Sequence, residues 1–468
     1  MRWVGVVIWI GLLCGVSEGW AQEKDVWREI IGSAYLDNGS YGFLQRLCDE
    51  AGGRLTGSAA DTHARGILQE ELRKLGIESR QEEYRFPGFV RGDDRVTVRA
   101  PFEQQVRAVA LGYTDATPAF EARLVALPIG DAEDFRGSDC RGAVVLAGGE
   151  NAPGRPTPLR YETIDFAAKH GARAVLFVNN KPGGLTLVGV TNFQGTPSAV
   201  PAFSITLEEG KRLQRLLAAG RPVTVGIDTR SHCQELQSAN VVATFPGKTA
   251  RKIVIGAHFD SWDVSQGAVD NGVGSAILFD VARLLHRFSR DREYTIECVW
   301  FNGEELGLWG AKKYIERHTG DDIAALINMD MTGTPTGFNA MGIDALIPFL
   351  AKLAADMPGF NLSGSVANTP WTNSDHQPFM LHGIPAITLQ AHLDETMVRH
   401  YHDFGDTFDK VSRKYLSDAA AVVSVLVFEL ANHKNPGLVR RSREATIDFL
   451  KKHKLEETLR KQKEWIFE

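Results

Sequence analysis

Between Ile253 and Glu305 short apolar runs alternate with one amphipathic helix, and this alternation restricts the fold more than any other stretch. Ile253 to Ala257 is a continuous apolar run of strand length, the pattern of a strand buried on both faces. It delivers His258 at its carboxyl end. Tyr294 to Phe301 repeats the pattern and delivers Glu304 and Glu305. Between the two runs, Val273, Ile277, Val281, Leu284 and Phe288 recur at helical spacing. A helix opening at Asp270 is therefore expected to cross from one strand to the next. Strand, helix, strand predicts an open α/β sheet, in which working residues gather outside the carboxyl ends of the strands. Ala324 to Met331 extends the series and carries Asp330 at its end.

The donors in this stretch are imidazoles and carboxylates, with no thiolate. That set suits a catalytic zinc with an open position better than a closed structural zinc. Two metals about 3.5–4 Å apart, bridged by one carboxylate, form a common hydrolytic clamp. Adjacent glutamates supply one ligand and one free base. Asp260, two residues after His258, can accept the other ring N–H and fix the tautomer. Each fragment alone is weak: a His-x-Asp at a strand end is usually structural, and a Glu-Glu pair is usually a solvated face. Their order and their strand-end contexts carry the information.

The set His258-Phe-Asp260-Ser, Asp270-Asn-Gly, Glu304-Glu305, Asn328-Met-Asp330-Met and Tyr401-His402 followed by Asp406-Thr407 resembles the co-catalytic di-zinc aminopeptidase family of the bacterial leucyl and streptomycete type. The run from His258 to Asp270 is most similar to the plasma glutamate carboxypeptidase branch. The resemblance covers nearly all of the chain beyond its N-terminal segment. It implies an α/β fold: a three-layer α/β/α mixed-sheet zinc-peptidase domain with an inserted β-rich protease-associated domain. It also implies two Zn2+ ions, with His402 and Glu305 on one, His258 and Asp330 on the other, and Asp270 between them. Glu304 is then the general base for a metal-bridged water, and Tyr401 a hydrogen-bond donor to the tetrahedral intermediate. A cis peptide is implied after Asp270, and a supporting role for Asp406.

The implied activity is that of a zinc-dependent exopeptidase hydrolysing dipeptides or short peptides with a free N-terminus. Two other classes share parts of the pattern: a single-zinc glutaminyl cyclase, and a non-catalytic peptide-binding relative whose ligands have decayed. The double ligand set argues against both. Among the 13 histidines, His376, His382, His392, His400 and His402 fall in the window for the last ligand. The spacing Tyr401-His-x-x-x-Asp406-Thr407 matches the family loop and selects His402, with His400 as runner-up. Asp375, in a Ser-Asp-His-x-x-Phe pattern that recurs near the substrate in this family, has two readings. It can pair with a substrate ammonium group or cap the following helix, and the cap is preferred because Asp is favoured there. The loops Asn339–Gly342 and Asn368–Thr372 are the expected subsite walls.

At the N-terminus Arg2, the apolar run Trp3 to Val16 and the small-x-small pattern Gly19-Trp20-Ala21 predict a cleavable signal peptide over residues 1–21. Secretion or periplasmic export follows. The run is shorter than the ~20 residues a spanning helix needs, so no membrane span is expected after cleavage. The remaining boundaries are expected at 22–103 for the first part of the catalytic domain, 104–235 for the insertion, 236–437 for its main part and 438–468 for a charged helical tail. That tail reads as a solvated helix or, more sharply, a homodimer contact. The Gly52-Gly-Arg54-Leu-Thr-Gly57 loop reads equally as a simple turn or as part of the active-site rim. With 52 Lys and Arg against 58 Asp and Glu and no basic cluster, a nucleic-acid partner is not expected. The expected partner is a peptide or dipeptide substrate. Of the cysteines, Cys298 reads as a core thiol, and Cys140 with Cys233 as the pair to form if any disulfide does.

Overall fold

A computed structural model describes residues 25–37, 39–149, 152–288, 292–357, 359–433 and 437–468. The expected signal peptide and its cleavage site lie outside the described residues. Seven strands form the main sheet: β1 (Arg80–Val90), β2 (His232–Phe245), β3 (Lys252–His258), β4 (Thr295–Phe301), β5 (Ile323–Asn328), β6 (Thr334–Asn339) and β7 (Ala386–His392). Their order across the sheet is β1-β2-β4-β3-β5-β7-β6. The central four, β4, β3, β5 and β7, run parallel. The flanking strands β1, β2 and β6 are antiparallel additions. The stretch Ser238 to Phe245 is the inner half of β2 and lies between β1 and β4.

Both pleats of β3 and β4 are apolar because helices cover both faces. On one face Ile253, Ile255, Ala257, Ile296 and Trp300 pack with α2 (Val273–Phe288) and α5 (Arg413–Asn432). On the other Val254, Val299, Phe301 and Leu326 pack with α3 (Trp309–Arg317) and α4 (His376–Leu381). A helix α1 (Ala59–Lys74) completes the first layer. Gly256 is required where the sheet meets the Phe301 ring, since a Cβ there would lie 2.3 Å from it. Helix α5 is long and apolar enough to cross a bilayer, yet 83% of its apolar window is buried. It is a core helix. The predicted helix behind β3 exists, but it starts at Val273 rather than Asp270, because Asp270 (φ −111°, ψ 97°) and Asn271 (φ −124°, ψ 44°) are non-helical.

The inserted domain is an eight-stranded sheet. Its strands Thr117–Leu127, Val144–Gly148, Ala174–Val178 and Ala202–Ile205 run parallel, with helices Arg160–Lys169 and Leu207–Ala218 beside them. The β-rich character expected of this region is carried by those strands. Its borders differ from 104 and 235. Arg95–Ala100 already pairs with Thr224–Thr229 in the inserted sheet, whereas His232 pairs with Val90 in the main sheet.

Two further expectations are corrected. Cys140 and Cys233 do not pair, and Cys48, Cys140, Cys233 and Cys298 are all free. The tail is not a solvated helix. Its helices Arg443–Lys452 and Glu456–Lys461 bury Phe449, Leu450 and Leu459 against Met380 and Leu381 of α4, with Trp465 and Phe467 packed alongside.

Candidate metal centre

Three parallel strands end at the same edge of the sheet, and the loops beyond them supply the site. β3 reaches its last residue at His258, which is 1% exposed. Its Nε2 lies 3.2 Å from Asp270 Oδ1 and 3.4 Å from Asp330 Oδ1. His402 Nε2 lies 2.9 Å from Asp270 Oδ2 and 3.0 Å from Glu305 Oε2. Two trios result, His258 with Asp270 and Asp330, and His402 with Asp270 and Glu305, each with its donor atoms within 4.8 Å of one another. They share Asp270, one carboxylate oxygen to each side.

Local hydrogen bonds aim every donor. Asp406 accepts the backbone N–H groups of Val269 (2.7 Å) and Asp270 (3.0 Å). Asn271 joins the Asp270 turn to the Asp330 turn: its Nδ2 donates to Met329 O at 2.8 Å, and its Oδ1 accepts from Met331 N and Gly274 N, each at 3.1 Å. The Asp270–Asn271 peptide is cis. Ser275 Oγ donates to His258 O at 2.7 Å. The proton on His258 Nδ1 goes to the backbone carbonyl of Asp260 at 3.1 Å, not to the expected carboxylate, which is 3.6 Å away. That carboxylate has other partners. It accepts Thr56 Oγ1 at 2.7 Å and the backbone N–H groups of Glu304 (3.2 Å) and Glu305 (3.3 Å). Asp260 thus fixes the histidine with its main chain and the glutamate turn with its side chain.

The Gly52–Gly57 loop is the residue group whose weight sequence reasoning missed. Arg54 is fully buried and donates to Phe259 O (2.5 Å), Gln266 O (2.8 Å) and Gly267 O (3.0 Å). It clamps both ends of the segment that separates His258 from Asp270. The Gly-x-Arg-x-x-Gly pattern was the available signal. Among the rival histidines, His376 is buried with Nε2 against Trp371 O at 2.9 Å, and His400 belongs to neither trio. Asp375 is not a helix cap: it has helical backbone and its side chain makes no cap bond. Both of its carboxylate oxygens are buried without a partner among the described residues. The loops expected as subsite walls bind each other, through Asn339 Nδ2 to Thr369 O (2.9 Å) and Gly342 N to Asn368 Oδ1 (2.7 Å).

The electrostatics of the bare protein call for cations. Burial raises the Glu305 carboxyl to about 7, Asp270 adding to the rise and His402 opposing it. Burial likewise holds Glu304 well above the ordinary glutamate range, His258 opposing and Asp330 and Glu305 reinforcing. Asp375 is pushed up by burial, with Asp260 and Asp330 adding to it. Burial alone depresses the His402 imidazole, but Glu305 and Asp270 outweigh it and bring it to about 10. Glu305 Oε1 is buried with no hydrogen-bond partner among the described residues. The donor separations of 2.9–3.4 Å approach the edge of about 3.3 Å expected of a tetrahedron with Zn–N and Zn–O bonds of about 2.0–2.1 Å. The residues present fit zinc. Tyr401 stacks on the His402 ring at 3.7 Å between centroids. Burial, then Asp270 and Glu305, hold its phenol well above the usual range, so it remains a donor.

A mixed sheet carrying two imidazole-carboxylate trios around one shared aspartate defines a metallopeptidase. Residues 240–427 match the profile of peptidase family M28 and residues 119–213 that of the PA domain. The chain has the M28 peptidase fold with an inserted PA domain and is a zinc metalloexopeptidase. It is 26% identical to mouse carboxypeptidase Q over 435 residues, covering 89% of this chain and 91% of that protein. It is 25% identical to aminopeptidase YwaD of Bacillus subtilis (strain 168), covering 87% and 88%. In fold it resembles a solved M28 peptidase precursor from Shewanella amazonensis, with a TM-score of 0.76, 24% identity and coverage of 88% and 98%.

Proposed function

We propose that this chain is an exported two-zinc exopeptidase that hydrolyses dipeptides or short peptides with a free N-terminus. The observation that carries the reading is Asp270, whose two oxygens lie 3.2 Å from His258 Nε2 and 2.9 Å from His402 Nε2. Zinc held by His258, Asp270, Glu305, Asp330 and His402 would lower the pKa of a bound water to about 7 and polarise the scissile carbonyl. The remaining work belongs to the chain's own side chains. Glu304 stands in neither trio, and its backbone is held by Asp260 at 3.2 Å. Its raised basicity suits a group that takes a proton from the attacking water and returns it to the leaving amine. Tyr401 donates to the developing oxyanion. Asp375 has buried carboxylate oxygens with no partner among the described residues, which suits it to receive the substrate's ammonium group. Export rests on the residue 1–21 pattern, and sequencing of the mature protein should begin at Gln22.

Glu304→Gln keeps every proposed ligand and removes only the base. The variant should bind zinc as the wild type does while kcat falls by about 10²–10⁴. A Glu304→Gln enzyme that turns over dipeptides at the wild-type rate would overturn the assignment. Rates on a dipeptide library compared with amino-acid amides, with and without a chelator, test the substrate class.

A further inference from the structure

Residues 183–188 of the inserted domain are gripped from two sides. Their own domain braces them. Asn179 Nδ2 donates to Leu185 O (3.1 Å) and Thr186 O (3.2 Å), and Arg160 Nη2 donates to Leu187 O (2.5 Å). Ser204 Oγ accepts Leu187 N at 2.9 Å, and the Glu208 carboxylate accepts Gly183 N (2.6 Å) and Gly184 N (3.1 Å).

On its other side the segment meets the loop that carries Tyr401 and His402. Thr186 donates to Asp403 Oδ2 through its backbone N (2.7 Å) and its hydroxyl (3.0 Å). Val188 N donates to His402 O at 3.0 Å, and Val188 O accepts from His402 Nδ1 at 3.1 Å. Val188 is 1% exposed and sits among Tyr113, Trp262 and Leu306, so water does not compete for these bonds.

The two site histidines therefore differ in support. His258 finds its Nδ1 acceptor two residues along its own chain. The acceptor for His402 comes from the insertion. An Nδ1–H bonded to a carbonyl leaves the Nε2 lone pair free to bind metal and sets the plane of the ring. His402 also holds a left-handed backbone, φ 54°, which a non-glycine residue keeps only where its surroundings over-determine it. Val188 supplies that constraint by bonding both its carbonyl and its ring.

We propose that the inserted domain is a working part of the metal centre. The Val188 carbonyl sets the tautomer and aim of His402, with Thr186, Asn179 and Arg160 as positioning residues. Only the His402–Glu305 side depends on the insertion. The His258–Asp330 side does not. This inference rests on the ligand assignment above.

The test is a zinc titration of the full-length chain against a chromophoric chelator. Wild type should take up two ions, and that result tests the ligand assignment itself. Thr186→Val, nearly isosteric, should weaken one site by about 10–100-fold and leave the other unchanged. Thr186→Ser should restore both. Gln214→Ala, elsewhere in the same domain, should match wild type. A folded Thr186→Val chain that binds both ions as wild type does, or weakens both equally, overturns the inference while leaving the ligand assignment intact. Should that variant fail to fold, Asn179→Ala carries the same comparison with the same two outcomes.

Discussion

Asp270 can serve two imidazoles because its turn is held on both sides: distant Asp406 accepts its backbone N–H, and its neighbour Asn271 ties it to Met329, beside Asp330. The acidity of Glu305 makes this arrangement titratable. Burial lifts its carboxyl to about 7, so under the proposed ligand assignment a zinc ion entering below that pH would displace a proton from Glu305 as well as one from His402, itself raised to about 10. The slope of log affinity against pH should steepen by about one below pH 7, because metal ligands must be deprotonated. Chelator competition from pH 5 to 8 measures it. An unchanged slope through pH 7 would contradict the cited cause. The sign reverses for the metal-free fold. A carboxyl raised from 4.5 to about 7 binds its proton more tightly when folded, so the apoprotein loses stability as pH rises through that interval.

At the scale of elements, α2 ties the core to the site. Its buried face of Val273, Ile277, Val281 and Leu284 packs under β3, and its first turn follows directly on Asp270 and Asn271. Ile277 is fully buried. Ile277→Ala should cost about 2–5 kcal/mol, the range for deleting a large aliphatic side chain from a packed core. Chemical denaturation should show the loss, and a cost below ~1 kcal/mol would mean the helix repacks. The covering of both faces of β3 and β4 explains why the sequence there shows unbroken apolar runs rather than alternation.

Across the whole molecule, the C-terminal segment joins three regions. The Glu464 side chain is 7% exposed and accepts from Lys312 Nζ of α3 at 2.9 Å and Gln194 Nε2 of the insertion at 3.3 Å. Gln194 also donates to Gln462 O at 2.6 Å, and Gln462 Nε2 to Asn373 Oδ1 at 2.7 Å, two residues before Asp375. Glu464→Ala removes the shared acceptor of Lys312, Gln194 and the buried Gln377 Nε2, at a cost of about 1–3 kcal/mol. Its thermal unfolding midpoint should fall, and zinc stoichiometry should not change. An unchanged midpoint would show that the segment docks through Leu459 and its apolar neighbours alone.

Local chemistry wrote the strand-helix-strand series, the ligand types, the inserted β-runs and the order of the motifs directly into the sequence. Apolar length, period and donor type depend on residues near one another in the chain. What tertiary structure decided lies between distant segments. Arg54 became the clamp of a loop more than two hundred residues away, Asp375 lost its cap role to burial, and Val188 of the insertion became the partner of His402. No periodicity encodes such meetings. They exist because the packed sheet brings its loops to one edge, where each buried donor must find its acceptor.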